Sequence, residues 1–234
     1  MKLITWNCQG AFRKKAHIIL ELLPDILVVQ ECEHPDRIVF NSLQPNDFLW
    51  FGDYQHKGLG IFSFSNLKFK LLDEHNPAFK TIVPILVTGG QSNFILFAIW
   101  ANNPQDKHHK YIDQVWRAVN FYDKIISSST ILIGDFNSNK IWDWKHRNGN
   151  HSDVVNFLTE KNIHSIYHIL LREEQGKETH PTFFLQRNKT KPYHIDYCFA
   201  SSNMIERIQK FEIGKFESWI VHSDHLPVVI HFDI

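Results

Sequence analysis

Five stretches of the sequence join an apolar run to a residue able to do acid–base or ligand chemistry. "LITWNCQG" ends its run at Asn7, and "DILVVQECE" ends at Gln30 and Glu31. "ILIGDFNSN" leads to Asp135 and Asn137, "YHIDYCFA" carries Asp196, and "VHSDHLPVVIHF" places Asp224 and His225 just before the last run. A single Asp or Asn in such a place is ordinarily a turn residue or a cap. Five of them require a common cause: strands stacked so that polar residues distant in sequence reach one edge.

The residue types define a chemistry. Glu31, Asp224 and the amide oxygen of Asn7 are hard oxygen donors, which suit Mg²⁺ or Mn²⁺ better than zinc. A divalent ion there polarises a phosphoryl oxygen and stabilises a leaving oxyanion. Asp135 is placed to hold and deprotonate a water, and Asn137 to orient that water or bind phosphate. His225, when protonated, stabilises charge building on phosphoryl oxygens. Asp196 holds the imidazole in one tautomer and keeps it basic. Together they suit metal-assisted attack of water on a phosphoester.

The elements that must position these residues are mostly strands. Val, Ile, Phe and Tyr are concentrated in short runs bounded by turn signals. The runs are Lys2–Trp6, Asp25–Gln30, Phe48–Phe51, Gly60–Ser63, Thr81–Val87, Phe94–Trp100, Thr130–Gly134, Ile163–Tyr167, Thr182–Leu185, His194–Phe199, Ile208–Ile213 and Pro227–Phe232. Helical spacing appears over Phe12–Leu23, Tyr111–Ile126 and Ser152–Thr159, the last with Ser152 as its N-cap. The count predicts two sheets packed face to face with helices outside. No linker, repeat or low-complexity segment divides residues 1–234, so one domain is expected.

Composition narrows the class. The 25 basic and 25 acidic residues cancel, so a globally basic surface is absent. Cys8, Cys32 and Cys198 have no metal spacing and sit in apolar contexts, which predicts buried reduced thiols. The amino-terminal stretch has no signal-peptide pattern, and no apolar run is long enough to span a bilayer. A reducing cytoplasm and no membrane attachment are expected, and no obligate protein partner is evident. "KHHK" (Lys107 to Lys110) reads as a solvated face rather than a metal site.

At these motifs the chain resembles small, bacterial-type members of the endonuclease/exonuclease/phosphatase superfamily, of the deoxyribonuclease and exonuclease III kind. The pieces "TWNCQG", "VVQECE", "GDFNSN", "HIDYCF" and "SDHLPV" occur in family order over residues 2 to 230. The resemblance implies an α+β fold, a four-layered αββα sandwich of two mixed β-sheets flanked by helices. It implies Mg²⁺-dependent (or Mn²⁺-dependent) phosphoester hydrolysis. By position, Glu31 looks like the metal carboxylate, and Asn7 and Asp224 like supporting ligands. Asp135 looks like the water-activating acid, Asn137 its phosphate-binding partner, and Asp196 with His225 the acid–imidazole pair. There are two departures from the pattern. Gln9 stands where several relatives have an acid, which touches only a second metal position. Trp100 stands where many nucleases have His or Tyr, and an indole donates one hydrogen bond but cannot shuttle a proton.

Other residues are candidates for substrate contact. Asn102 or Asn103 can meet phosphate, His180 can reach the site from a polar loop, and His194 alternates with Asp196 along its strand. Trp142, Trp144 and Trp219 read as packing under loops rather than base-stacking platforms. "RKK" (Arg13 to Lys15) and "RNKTK" (Arg187 to Lys191) flank catalytic strands, so Lys14 and Lys189 are expected to hold a polyanion. A nuclease acting on DNA or RNA is the leading reading. The alternative is a phosphatase or phosphodiesterase for a small soluble phosphoester or lipid headgroup. A non-catalytic binding domain ranks last, because clustered carboxylates without a metal destabilise a fold and decay first.

Overall fold

The computed structural model describes residues 1–40, 43–102, 111–145 and 148–234. The first half of the chain forms β1 (Lys2–Asn7), α1 (Ala16–Leu20), β2 (Ile26–Cys32), β3 (Asp47–Tyr54), β4 (Lys57–Ser63), β5 (Lys68–Leu71), β6 (Ile82–Thr88) and β7 (Phe94–Trp100). The second half begins with α2 (Ile112–Phe121), β8 (Thr130–Asp135), α3 (His151–Glu160), β9 (Ile163–Ser165) and α4 (Ile166–Leu171). It ends with β10 (Phe183–Phe184), β11 (Pro192–Tyr193), β12 (Asp196–Ser201), α5 (Ser202–Ile205), β13 (Ile208–Ile213), α6 (Phe216–Trp219) and β14 (Val228–Phe232).

Two six-stranded sheets result, ordered β13-β14-β1-β2-β4-β3 and β5-β6-β7-β8-β12-β9, and β10 and β11 form a small separate ribbon. Both large sheets are mixed. In the first, β1 is parallel to β2 and antiparallel to β14; in the second, β8 is parallel to β7 and antiparallel to β12.

Alternation along the strands builds the layers. In β1, Leu3 joins the core between the sheets, whereas Ile4 and Trp6 face outward beneath Phe12, Ala16 and Ile19. In β8, Ile131 and Ile133 face the first sheet, and Leu132 packs outward with Val115 and Val119 of α2 and Leu158 of α3. Each sheet therefore buries both faces, and the expected αββα sandwich is what the chain forms. Cys8, Cys32 and Cys198 are free and buried. Burial pushes the Cys8 thiol up to about 12, so it stays protonated and unreactive.

Local elements depart from the expectations in several places. Phe12–Leu23 is not one helix: a 3₁₀ turn (Phe12–Lys14) is separated from α1 by Lys15, whose φ of −125° is not helical. The run Ile163–Tyr167 splits into the short strand β9 and the start of α4, an ambiguity inherent in brief apolar runs. The N-cap of α3 is Asn150, which exchanges bonds with Asp153, while the Ser152 hydroxyl donates to Asp143 instead. The strand carrying Asp196 begins at Asp196, so His194 precedes it and shares no strand face with it. The short strands β5 and β11 lie outside the apolar runs expected to form strands. Asn103 and the stretch Lys107 to Lys110 lie outside the described residues.

Candidate active site

Sheet pairing explains why the polar residues meet. Because β1 and β2 are parallel, Asn7 and Glu31 leave the first sheet at the same edge. Because β7 and β8 are parallel, Trp100 and Asp135 are partners at the end of the second. Antiparallel β12 starts there, opposing Asp196 to Asp135. The segment before antiparallel β14 supplies Asp224 and His225.

Asp135 lies at the centre and is fully buried. Its Oδ2 accepts from Asn7 Nδ2 at 2.9 Å and from Asn137 Nδ2 at 3.1 Å, and its Oδ1 accepts the Asn137 backbone N–H at 2.8 Å. Asn137 also donates to the Ala101 carbonyl at 3.0 Å, in a left-handed conformation (φ 49°) that asparagine tolerates. Burial pushes the Asp135 carboxyl well up from its usual range; the His225 charge and these amide donors only partly oppose the shift. Gly134, just before it, has φ 144°, and a Cβ there would lie 1.9 Å from the Ile99 carbonyl oxygen. Only glycine lets β8 approach β7 this closely.

His225 Nδ1 donates to Asp196 at 2.9 Å (Oδ2) and 3.1 Å (Oδ1). That bond leaves Nε2 as the nitrogen for the cavity that His225 lines. Burial opposes the imidazolium, but Asp196, then Asp135 and Asp224, outweigh it and raise the pKa to about 9. At neutral pH the ring is a cation. Phe183 covers it, ring centroids 4.6 Å apart. Two hydroxyl neighbours hold the pair. The Thr182 hydroxyl accepts the Asp196 backbone N–H at 3.0 Å, and the Ser223 hydroxyl ties the Asn7 carbonyl (2.7 Å) to the His225 N–H (3.0 Å).

Glu31 sits at a β-bulge in β2, in a left-handed conformation with φ 59°. The bulge re-aims its side chain into the cavity. Asn7, Glu31 and Asp224 all line this cavity of ≈ 1350 Å³. Burial, followed by the like charge of Glu31, raises the Asp224 pKa against the pull of His225. Asp224 Oδ2 accepts from Gln9 Nε2 at 2.8 Å, and Gln9 Oε1 accepts from Arg187 at 2.6 Å and 3.2 Å. The Asn7 amide oxygen already accepts the Gln9 N–H at 3.0 Å, which leaves one lone pair for a ligand.

These donors fit a hard divalent cation. One of them is paired with an ammonium: Lys57 Nζ lies 3.1 Å from Glu31 Oε2. Asp135, Asp196 and His225 also bring ligand atoms within 4.8 Å of one another. That buried trio is a poorer metal site, because the nitrogen facing the carboxylates is a donor N–H and the imidazolium already supplies the positive charge.

Trp100 and Asn102 line the cavity. Trp100 is 8 % exposed, with Lys57 Nζ 5.4 Å from its ring centroid. Asn102 is committed to Thr81 and Gln114. His180 and His194 lie elsewhere. His194 Nδ1 donates to the His180 carbonyl at 2.7 Å, its Nε2 has no partner, and its ring packs 4.4 Å from that of Tyr167. His180 meets the Tyr167 hydroxyl at 3.1 Å. Lys14 and Lys189 do not line the cavity, and Lys189 pairs with Glu217 at 2.7 Å. From those basic clusters Lys15 and Arg187 turn inward instead, to the Cys8 carbonyl and to Gln9. Trp142 packs on Tyr193 and Trp219 on Trp6, whereas Trp144 is 80 % exposed.

A model of the endonuclease/exonuclease/phosphatase family matches residues 4–210. No curated protein matches the chain by sequence. Among solved structures it is similar to a 3′-5′ exonuclease from Neisseria meningitidis, at 21% identity over 100% of both chains and a TM-score of 0.70. It is similar to an AP endonuclease from Archaeoglobus fulgidus, at 17% identity over 100% of both chains and a TM-score of 0.72. The AP endonuclease of Leishmania major is 14% identical, with 98% of this chain and 86% of that one covered and a TM-score of 0.71. At these identities the likeness is one of fold.

Proposed function

The chain belongs to the endonuclease/exonuclease/phosphatase family, and from that premise we propose that it is a divalent-metal-dependent phosphodiesterase acting on DNA or RNA, built as one domain over residues 1–234. One observation carries the chemistry: a buried carboxylate, Asp135, is held by two amides beside an imidazolium fixed by Asp196.

The residues divide the work. Asp135 takes the proton of the attacking water; burial makes it a stronger base than an exposed aspartate. Asn7 and Asn137 hold that carboxylate in one orientation, and Asn137 also faces the cavity. His225 presents an imidazolium to the phosphoryl oxygens, where charge builds as the P–O bond breaks. Glu31, Asp224 and the Asn7 amide oxygen would hold Mg²⁺ or Mn²⁺, which when bound supplies Lewis-acid polarisation of the phosphoryl group.

The groove supports a nucleic acid. Lys57, Lys80 and Arg117 line it together with the rings of Trp100, Tyr111 and Phe79, the mixture of cations and aromatic faces that suits a strand of phosphates and bases. The fold neighbours include a Neisseria 3′ phosphatase bound to a product DNA hairpin. Among the described residues no helix is long and apolar enough to cross a membrane, and three free buried thiols suit a reducing cytoplasm.

The test is a panel of DNA, abasic DNA, RNA, nucleotides and inositol phosphates, each with Mg²⁺ or Mn²⁺. Cleavage of a nucleic acid that disappears in Asp135→Ala is the expected result. Turnover of a small phosphoester alone would replace this reading with the small-molecule one.

A further inference from the structure

Lys57 is one of the cations that line the groove, and its ammonium also touches a proposed metal ligand directly. It is the first residue of β4, and the hairpin register pairs it with Tyr54, so its backbone is fixed while its four-carbon stem is free. Its ammonium makes two contacts at once. One is Glu31 Oε2 at 3.1 Å; the other is the face of Trp100, 5.4 Å from the ring centroid. All three residues line the same cavity.

Glu31 is the carboxylate that the proposed hydrolytic site needs for its cation. A divalent ion on Glu31 repels the ammonium beside it and weakens its hold on the carboxylate. The Trp100 contact is already in place and does not depend on Glu31, because an aromatic face attracts a cation without neutralising it. Trp100 itself cannot shuttle a proton. The positive charge it holds overhead is what this part of the groove can offer a phosphate.

We propose that Lys57 is a phosphate-binding residue of this site: its ammonium holds Glu31 in the metal-free protein, yields the carboxylate to a divalent cation, and then binds a phosphoryl oxygen while keeping its contact with Trp100. The inference rests on the hydrolytic reading of the site and adds to it a residue that couples metal uptake to substrate binding.

The test uses the full chain and two calorimetric titrations, neither of which needs turnover. Mg²⁺ titrated without substrate should bind Lys57→Met about 2- to 5-fold more tightly than the parent, the fold-change expected from removing one exposed competing ion pair. Inorganic phosphate, titrated at saturating Mg²⁺, should bind Lys57→Met roughly 10-fold more weakly, and Lys57→Arg should recover most of the loss. Lys57 is half exposed, so neither variant threatens the core. Unchanged or weaker Mg²⁺ binding by Lys57→Met would overturn the proposal, and so would unchanged phosphate affinity. Glu31→Gln separates the two ideas. If the parent takes up Mg²⁺ no better than Glu31→Gln does, the hydrolytic reading falls and Lys57's role with it. If Mg²⁺ binds through Glu31 and Lys57→Met changes nothing, only the Lys57 proposal falls.

Discussion

Asn7 and Asp135 are separated by 128 positions in the chain and by 2.9 Å in space, amide nitrogen to carboxylate oxygen. The bond crosses from the first sheet to the second and places a neutral donor on a buried acid. Removing it in Asn7→Ala should cost about 1–3 kcal/mol of stability, the penalty for leaving a buried acceptor under-satisfied. Asn7→Asp should cost more at pH 7, since it faces one carboxylate with another. Urea unfolding of the two variants checks the order; equal stabilities would show that the contact is incidental.

Asp196 and His225 are expected to act as a unit. Without Asp196, the imidazole loses the partner that keeps it charged against the cost of burial. Turnover by Asp196→Ala, His225→Ala and the double variant should therefore be strongly non-additive, the double costing little more than either single change. Losses that multiply cleanly would refute the pairing.

Glu31→Gln should slow hydrolysis by ~100-fold or more and weaken Mg²⁺ binding, as loss of a charged ligand at a catalytic metal does. The parent enzyme in EDTA should be inactive. Full activity in EDTA would remove the metal from the proposal altogether.

His194 predicts an acid limb in stability that is separate from catalysis. Burial holds its imidazole down at about 4, against 6.5 when exposed. Between those values the unfolded chain binds a proton that the folded one does not, so stability falls as pH drops from about 6.5 to about 4. The difference amounts to on the order of 3 kcal/mol. Glu178, held at about 2 by His168 and Asn139 against the cost of burial, acts in a lower window; Asp135, pushed up by burial, takes up its proton in the folded chain over the same range and opposes the His194 limb. The His194 share is therefore read as a difference: the stability of the parent relative to His194→Phe, from urea unfolding, should fall as pH drops from 7 to 5. A difference that stays constant with pH would assign the limb to another group.

How much of this was legible in the sequence depends on what each residue attaches to. Asp135, Asn137, Asp196 and His225 each adjoin an apolar run, so the pattern that marks a core strand also marks its polar end. Both sheets and their outer helices follow from the same runs. Lys57 carries no such mark, and Gln9, Arg187, Thr182 and Ser223 stand within or beside marked stretches that do not reveal whom they bond. Their partners are fixed by hairpin register, by loop paths and by which strands become neighbours, none of which is a local property. The misread elements have local causes too. "KFKL" alternates as a strand should but is only four residues long, with two lysines, and lies on a sheet edge, and a single non-helical residue, Lys15, divides what spacing alone reads as one helix. His194 stood two places before Asp196 in an apolar run, but the strand begins only at Asp196.

Gln30 is buried between the sheets, donating to the Thr5 hydroxyl at 2.9 Å beside it and to the Ile99 carbonyl at 3.1 Å across the sandwich. Neither sheet can slide along the other without giving up that bond in a dry interior. The chemical groups therefore ride on a welded floor, while the groove's walls are hairpins and turns such as residues 54 to 57 and 77 to 80. Wall and floor can then change at different rates over generations: descendants of this chain can acquire a new substrate by remodelling the walls while the reaction beneath is inherited intact.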